Sequence, residues 1–82
     1  MRLDKWLWAA RFFTTRALAA EAVDGGKVQL NGQRTKPGKD VRFGSRLKIH
    51  KGGLEWRIEI LELPPQRRPA AEAQGFYLED ET

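Results

Sequence analysis

Eighty-two residues without a single cysteine make one domain, near the lower size at which a hydrophobic core alone holds a fold, and they exclude disulfides and thiolate metal sites. Fifteen Lys and Arg against eleven Asp and Glu give a net charge of +4, unevenly laid out: residues 1–57 carry +8 and residues 58–82 carry −4. A basic body with an acidic end points to a polyanionic partner, and the N-terminal apolar stretch, broken by Asp4, Lys5 and Arg11, reads as neither signal peptide nor membrane span, so a cytoplasmic protein without membrane contact is expected.

Residues 2–13 read as a helix whose Leu3, Trp6, Leu7, Ala10 and Phe13 share one side at 100° per residue. Trp8 and Phe12 fall nearly opposite, which predicts a second cover. Either the C-terminal Phe76, Tyr77 and Leu78 pack there, or nucleic-acid bases stack there, and packing is the favoured reading. Thr14 or Thr15 then supplies an N-cap for a second, alanine-rich helix over 16–24. Gly25-Gly26 ends it, with one glycine available for a left-handed position.

Next comes a hairpin with Asn31-Gly32 as a type I′ turn, since both central positions of that turn need positive φ. Alternation places Val28 and Leu30 on the core face, opposite Lys27 and Gln29. Residues 36–40 form a Pro-Gly turn. Two further strands follow, 46–50 with Leu47 and Ile49 inward, and a long one with Leu54, Trp56, Ile58 and Ile60 inward. Pro64-Pro65 stops the sheet, and a short C-terminal helix over 70–73 with an acidic tail completes the chain. The class is α+β: two N-terminal helices, a small antiparallel β-sheet and a short C-terminal helix, with a domain boundary expected at 63/64.

The chemistry of enzymes is poorly represented. His50 is the lone histidine and Ser45 the lone serine, the glycines form no phosphate loop, and the Glu55, Glu59 and Glu62 series alternates with apolar residues as the solvated side of a strand. No catalytic residue, no metal site and no cofactor is expected. The cations are more telling. Arg2, Lys5 and Arg11 lie on the first helix, and Arg16 opens the second beside Thr14 and Thr15, where hydroxyls, backbone N–H groups and a guanidinium converge on a helix N-terminus suited to phosphate. Lys27, Arg34, Lys36 and Lys39 extend that surface along the hairpin.

Arg2-Leu3-Asp4-Lys5-Trp6-Leu7, Thr15-Arg16 with Ala19-Ala20, and Gly26-Lys27-Val28-Gln29-Leu30-Asn31-Gly32 with Lys36-Pro37 resemble the RNA-binding domain of ribosomal protein S-four, the alpha-L motif, over residues 2–50. Within that superfamily, residues 6–13 and 69–73 are similar to the fifteen-kilodalton heat-shock protein family of ribosome-associated bacterial proteins. The resemblance implies that two helices and the hairpin form the RNA surface, with Lys5, Arg11, Thr15, Arg16, Lys27, Asn31, Arg34 and Lys36 in contact with RNA. It implies ribosomal RNA on the large ribosomal subunit, carrying peptidyl-tRNA, as the partner, in rescue or recycling after heat stress. Thr15 stands where the family usually has serine, and Gly44-Ser45 where it usually has Gly-Asp. Family members often run on into a longer basic extension, whereas these residues end on an acidic run. A monomeric, non-enzymatic RNA-binding protein is the leading reading. Its rivals are an accessory RNA-binding module of an RNA-modifying or tRNA-charging enzyme, a protein-interaction domain docking through Trp8 and Phe12, and a duplex-DNA binder using the same charges.

Overall fold

Apolar rows spaced two residues apart build the floor of the molecule, seen in a computed structural model that describes residues 1–67 and 69–79. In chain order the elements are α1 (Leu3–Ala9), α2 (Arg16–Asp24), β1 (Val28–Leu30), β2 (Gln33–Arg34), β3 (Arg46–Lys51), β4 (Leu54–Ile60), α3 (Ala70–Ala73), a 3-10 turn (Gln74–Phe76) and β5 (Tyr77–Glu79). The strands pair antiparallel in the order β2-β1-β3-β4-β5. Val28 lies opposite Ile49 and Ile49 opposite Trp56, while Leu30 lies opposite Leu47 and Leu47 opposite Ile58, so the register stacks apolar side chains into continuous rows. Leu3, Trp6 and Leu7 of α1 and Ala19, Ala22 and Val23 of α2 close over those rows. This is the expected α+β arrangement. Each large aliphatic side chain fully buried this way contributes about 1.5–3 kcal/mol.

The hairpin forms as its sequence dictates, with Asn31 at φ 50° and Gly32 at φ 81°. Thr15 caps α2: its Oγ1 accepts the Leu18 N–H at 3.0 Å. At the other end of α2 the Lys27 N–H reaches Ala22 O, the Gly26 N–H reaches Val23 O, and Gly26 takes φ 78°, a Schellman closure.

The first helix departs from expectation. It stops at Ala9 instead of running to Phe13, and it ends in the same closure: Phe12 N–H to Leu7 O, Arg11 N–H to Trp8 O. Here the left-handed residue is Arg11, φ 68°, so no glycine marks the stop in the sequence. The reversal carries Phe12 off the helix surface and into the core, where it is 5% exposed, stacked 6.1 Å from Trp6 and tilted against Tyr77 at 4.9 Å. The second cover is therefore supplied by the C-terminal segment, although Leu78 stays 55% exposed. Two more expectations fail at the sheet's margin. Leu54 is 61% exposed because it opens β4 opposite Lys51, at the end of the β3–β4 hairpin. Tyr77–Glu79, read from sequence only as a packing segment, is a strand bonded to β4.

Hydrogen bonds tie the C-terminal segment to α1. Trp6 Nε1–H donates to Glu62 O at 2.8 Å, and the Leu61 and Glu62 N–H groups donate to Phe76 O. Arg67 donates from Nε to Trp8 O at 3.2 Å and from Nη2 to Phe13 O at 3.4 Å, its guanidinium 5.5 Å from the Trp8 ring centre. Ala73 and Phe76 enter the common core. The acidic end beyond Glu79 lies outside the described residues.

A left-handed non-glycine residue is strained by about 1–2 kcal/mol. Arg11→Gly should therefore be more stable than Arg11→Ala by about 1 kcal/mol, both variants lacking the guanidinium. Chemical denaturation of the pair measures this, and equal stabilities would remove the strain.

Candidate nucleic-acid interface

One buried acid organises the basic surface. Asp4 is 5% exposed, facing inward from the first turn of α1. Arg2 donates to it as a fork, Nε to Oδ1 and Nη2 to Oδ2, each at 3.2 Å. Arg16 Nη2 approaches Oδ1 at 3.5 Å, and the Lys5 N–H donates to the same oxygen at 2.7 Å. Burial pushes the carboxyl up, but the bonds from Arg2 and the Lys5 N–H, with the charges of Arg2 and Arg16, outweigh it and hold Asp4 below the usual carboxylate range. The two guanidinium-bearing side chains stay 59% and 47% exposed. Arg2 is thus fixed along one edge, and Arg16 touches the same carboxylate through Nη2 alone, while the rest of each guanidinium is open to solvent and to a second oxyanion.

The hairpin is joined to this cluster through backbone. The Leu3 N–H donates to Lys39 O at 2.9 Å and the Asp4 N–H to Pro37 O at 3.1 Å, so the 36–40 turn satisfies the start of α1. The Arg2 guanidinium lies against Gly38, where an added Cβ would come within 3.5 Å of Nη2. Asn31, Arg34, Lys36 and Lys39 line one groove beside that turn. Arg34 Nη2 donates to Asp24 O at 2.6 Å, fastening the hairpin to the C-terminus of α2. The Asn31 side chain is engaged in the fold: its Oδ1 accepts the Arg46 N–H at 3.1 Å. Thr15 likewise spends its acceptor on the cap described above.

Arg2, Lys5, Thr15, Arg16, Lys36 and Lys39 thus gather around the start of α1, the start of α2 and the 36–40 turn, with Arg34 and Asn31 at the hairpin beyond. Arg11 and Lys27 are placed elsewhere. Arg11 lines a depression with Trp56, Ala70 and Tyr77, and Lys27 lines another with Phe13, His50 and Leu54. Asp4 was missed as a site residue, although its signal was present: a carboxylate between Arg2 and Lys5 on an otherwise apolar helix. Phe12, being buried, offers no docking surface. The Ser45 Oγ accepts the Arg42 N–H at 3.0 Å, and His50 Nε2 lies 3.4 Å from Glu55, which also meets Lys48 and Arg57. Among the described residues no group of three or more His, Asp and Glu could hold a metal ion, and no helix is long and apolar enough to cross a membrane.

The S4 domain family model matches residues 1–47. Heat shock protein 15 of Escherichia coli K12 is 52% identical over 79 residues, covering 96% of this chain and 59% of its own length. The RQC P-site tRNA stabilizing factor of Bacillus subtilis is 36% identical over 77 residues, covering 94% of this chain and 88% of its own. The trimeric structure of Vibrio cholerae Heat Shock Protein 15 superposes with a TM-score of 0.95 at 52% identity, over 98% of this chain and 81% of that one. The chain spans about three fifths of the length of the Heat shock protein 15 relatives it matches, 61% for Aeromonas salmonicida and 59% for E. coli.

Because folding lowers the Asp4 pKa, the stability this carboxylate contributes is present above its unfolded value, near 4, and is lost as pH falls through the folded value. Asp4→Asn should cost about 1–3 kcal/mol at neutral pH. The gap between wild type and variant should narrow as the pH drops below about 4 in thermal melts. A gap independent of pH would show that the charge of Asp4 is not what holds Arg2 and Arg16.

Proposed function

This chain belongs to the S4 domain family, and we propose that it binds ribosomal RNA on the large ribosomal subunit through the surface that Asp4 organises. The observation that carries the reading is the pair of guanidiniums, Arg2 and Arg16, pinned by one buried carboxylate beside the start of α2. Lys36 and Lys39 continue the positive surface on a turn bonded rigidly to α1. Such a surface fits the shape and phosphates of folded RNA more than base edges, because its donors are guanidinium and ammonium groups whose positive charge complements phosphate. The resemblance in sequence assigns contacts also to Lys5, Thr15, Lys27, Asn31 and Arg34, and to Arg11.

The B. subtilis relative carries a name that ties it to P-site tRNA, which supports a place for this chain in rescue or recycling of stalled large subunits that retain peptidyl-tRNA. The role is one of binding and not of catalysis, a reading supported by the match to the S4 domain and by the stabilizing-factor name of the B. subtilis relative.

Titration of large subunits across a range of salt tests the reading. With about five phosphates neutralised, log K should fall against log salt with a slope of roughly −3.5 to −4.5. Arg16→Ala should weaken binding and reduce the size of that slope by about 1, with a loss of stability smaller than that of Asp4→Asn because Arg2 and the Lys5 N–H still hold the carboxylate. Binding insensitive to salt would sink the proposal, and collapse of the fold in Arg16→Ala would make Arg16 structural.

A further inference from the structure

Lys51 lines two neighbouring depressions where β3 turns into β4. One is walled by Phe13, Leu18 and Leu54 with Lys27 and Glu21 at its margin; the other holds Arg11, Trp56 and Tyr77. The Lys51 ammonium lies 5.5 Å from the Phe13 ring centre, so a cation sits directly upon an aromatic face between the two. Leu18 is 46% exposed and Leu54 61% exposed, and Phe13, Trp56 and Tyr77 are only partly covered. The turn beside them is Gly52-Gly53, at φ 60° and 77°, with nothing within 4 Å of where a Cβ would stand. Approach to this edge is therefore not blocked by side chains of the turn.

This edge is separate from the surface organised by Asp4. Arg16 turns toward α1, whereas Leu18, two residues on, points about 200° away around the same helix. Its composition is also different: among the described residues lining it, an apolar and aromatic floor is interleaved with Lys27 and Lys51 against one acid, Glu21. Burying those cations against an apolar protein partner would be costly, while a polyanion would complement them. Duplex RNA would meet the charges but not the floor, because its base faces are stacked away. Unpaired nucleotides satisfy both, with phosphates on the cations and bases on the rings and leucines.

We infer that the β3–β4 edge is a second RNA contact, one that takes unpaired nucleotides, with Lys51, seated over Phe13, as its shared cation, Trp56 as its stacking surface and Leu54 as its apolar floor. The inference rests on the RNA-binding reading above but names a different part of the surface and a different class of RNA.

The test compares a short oligouridylate with a blunt-ended RNA duplex on the full chain. Lys51→Gln combined with Leu54→Ser should lower oligouridylate affinity about tenfold and change duplex affinity by less than about twofold. Leu18→Ser, on the other wall, should act in the same sense. Oligouridylate should quench tryptophan emission in the wild type, and the quench should be lost in Trp56→Phe. Arg16→Ala should show the reverse preference, losing the duplex. If the wild type binds duplex but not oligouridylate, or if the Lys51/Leu54 variant loses both RNAs equally, the second contact does not exist. If that variant keeps both RNAs and instead loses self-association in sedimentation, the edge is an interface between copies and the inference is overturned. Oligouridylate binding without duplex or subunit binding upholds this contact and sinks the earlier reading alone.

Discussion

A carboxylate with almost no access to water cannot stay ionised beside an apolar core without compensation, and Asp4 is compensated from three directions. Arg2 comes from the residue just before α1, Arg16 from the first turn of α2, and the Lys5 N–H from the helix itself. The requirement is mutual. The acid fixes where the two helices begin relative to each other, and the helices hold two cations that would otherwise sample many rotamers. The fold and the basic surface are thus coupled through one group, whose removal would loosen the surface and the junction together.

The rest of the helical layer follows from how its chain reversals are closed. Both helices end in the same backbone closure, but only the second uses glycine. Placing Arg11 in the left-handed region costs energy locally, and the return is the burial of Phe12 against Trp6 and Tyr77. That burial needs the C-terminal segment in place, which Arg67 secures by donating to the carbonyls of Trp8 and Phe13. The alternative in which Trp8 and Phe12 form one exposed aromatic face disappears at this step, because it assumes a helix that continues through residue 12.

The hairpin around Asn31-Gly32 has more structural duty than its cations suggest. Asn31 receives the Arg46 N–H, Arg34 reaches the last carbonyl of α2, and the following turn supplies the acceptors for the start of α1. Arg34 is positioned by its side-chain bond to Asp24 O, and Lys36 and Lys39 by the backbone bonds of their turn. Lys27 and Arg11, which seemed part of the same constellation, diverge to other faces because each lies within a Schellman closure that turns the chain away from its helix.

Local chemistry was legible in the sequence wherever the signal is short-range. The Asn-Gly turn, the Thr15 cap, the glycine-ended second helix and the alternating strands each depend on residues within a few positions, and each formed as read save for the outward Leu54 at the start of β4. The cation inventory was likewise readable from composition, and the likeness to the S4 domain from the matching residues that carry the resemblance. Tertiary structure alone decided the rest. Asp4 becomes the organiser only when Arg16, twelve residues away, folds back on it. Arg11 stops its helix only because burying Phe12 outweighs the backbone strain, and β5 exists only because β4 presents an edge for it to pair with. These are energies of contact between distant segments, and no window of the sequence contains them.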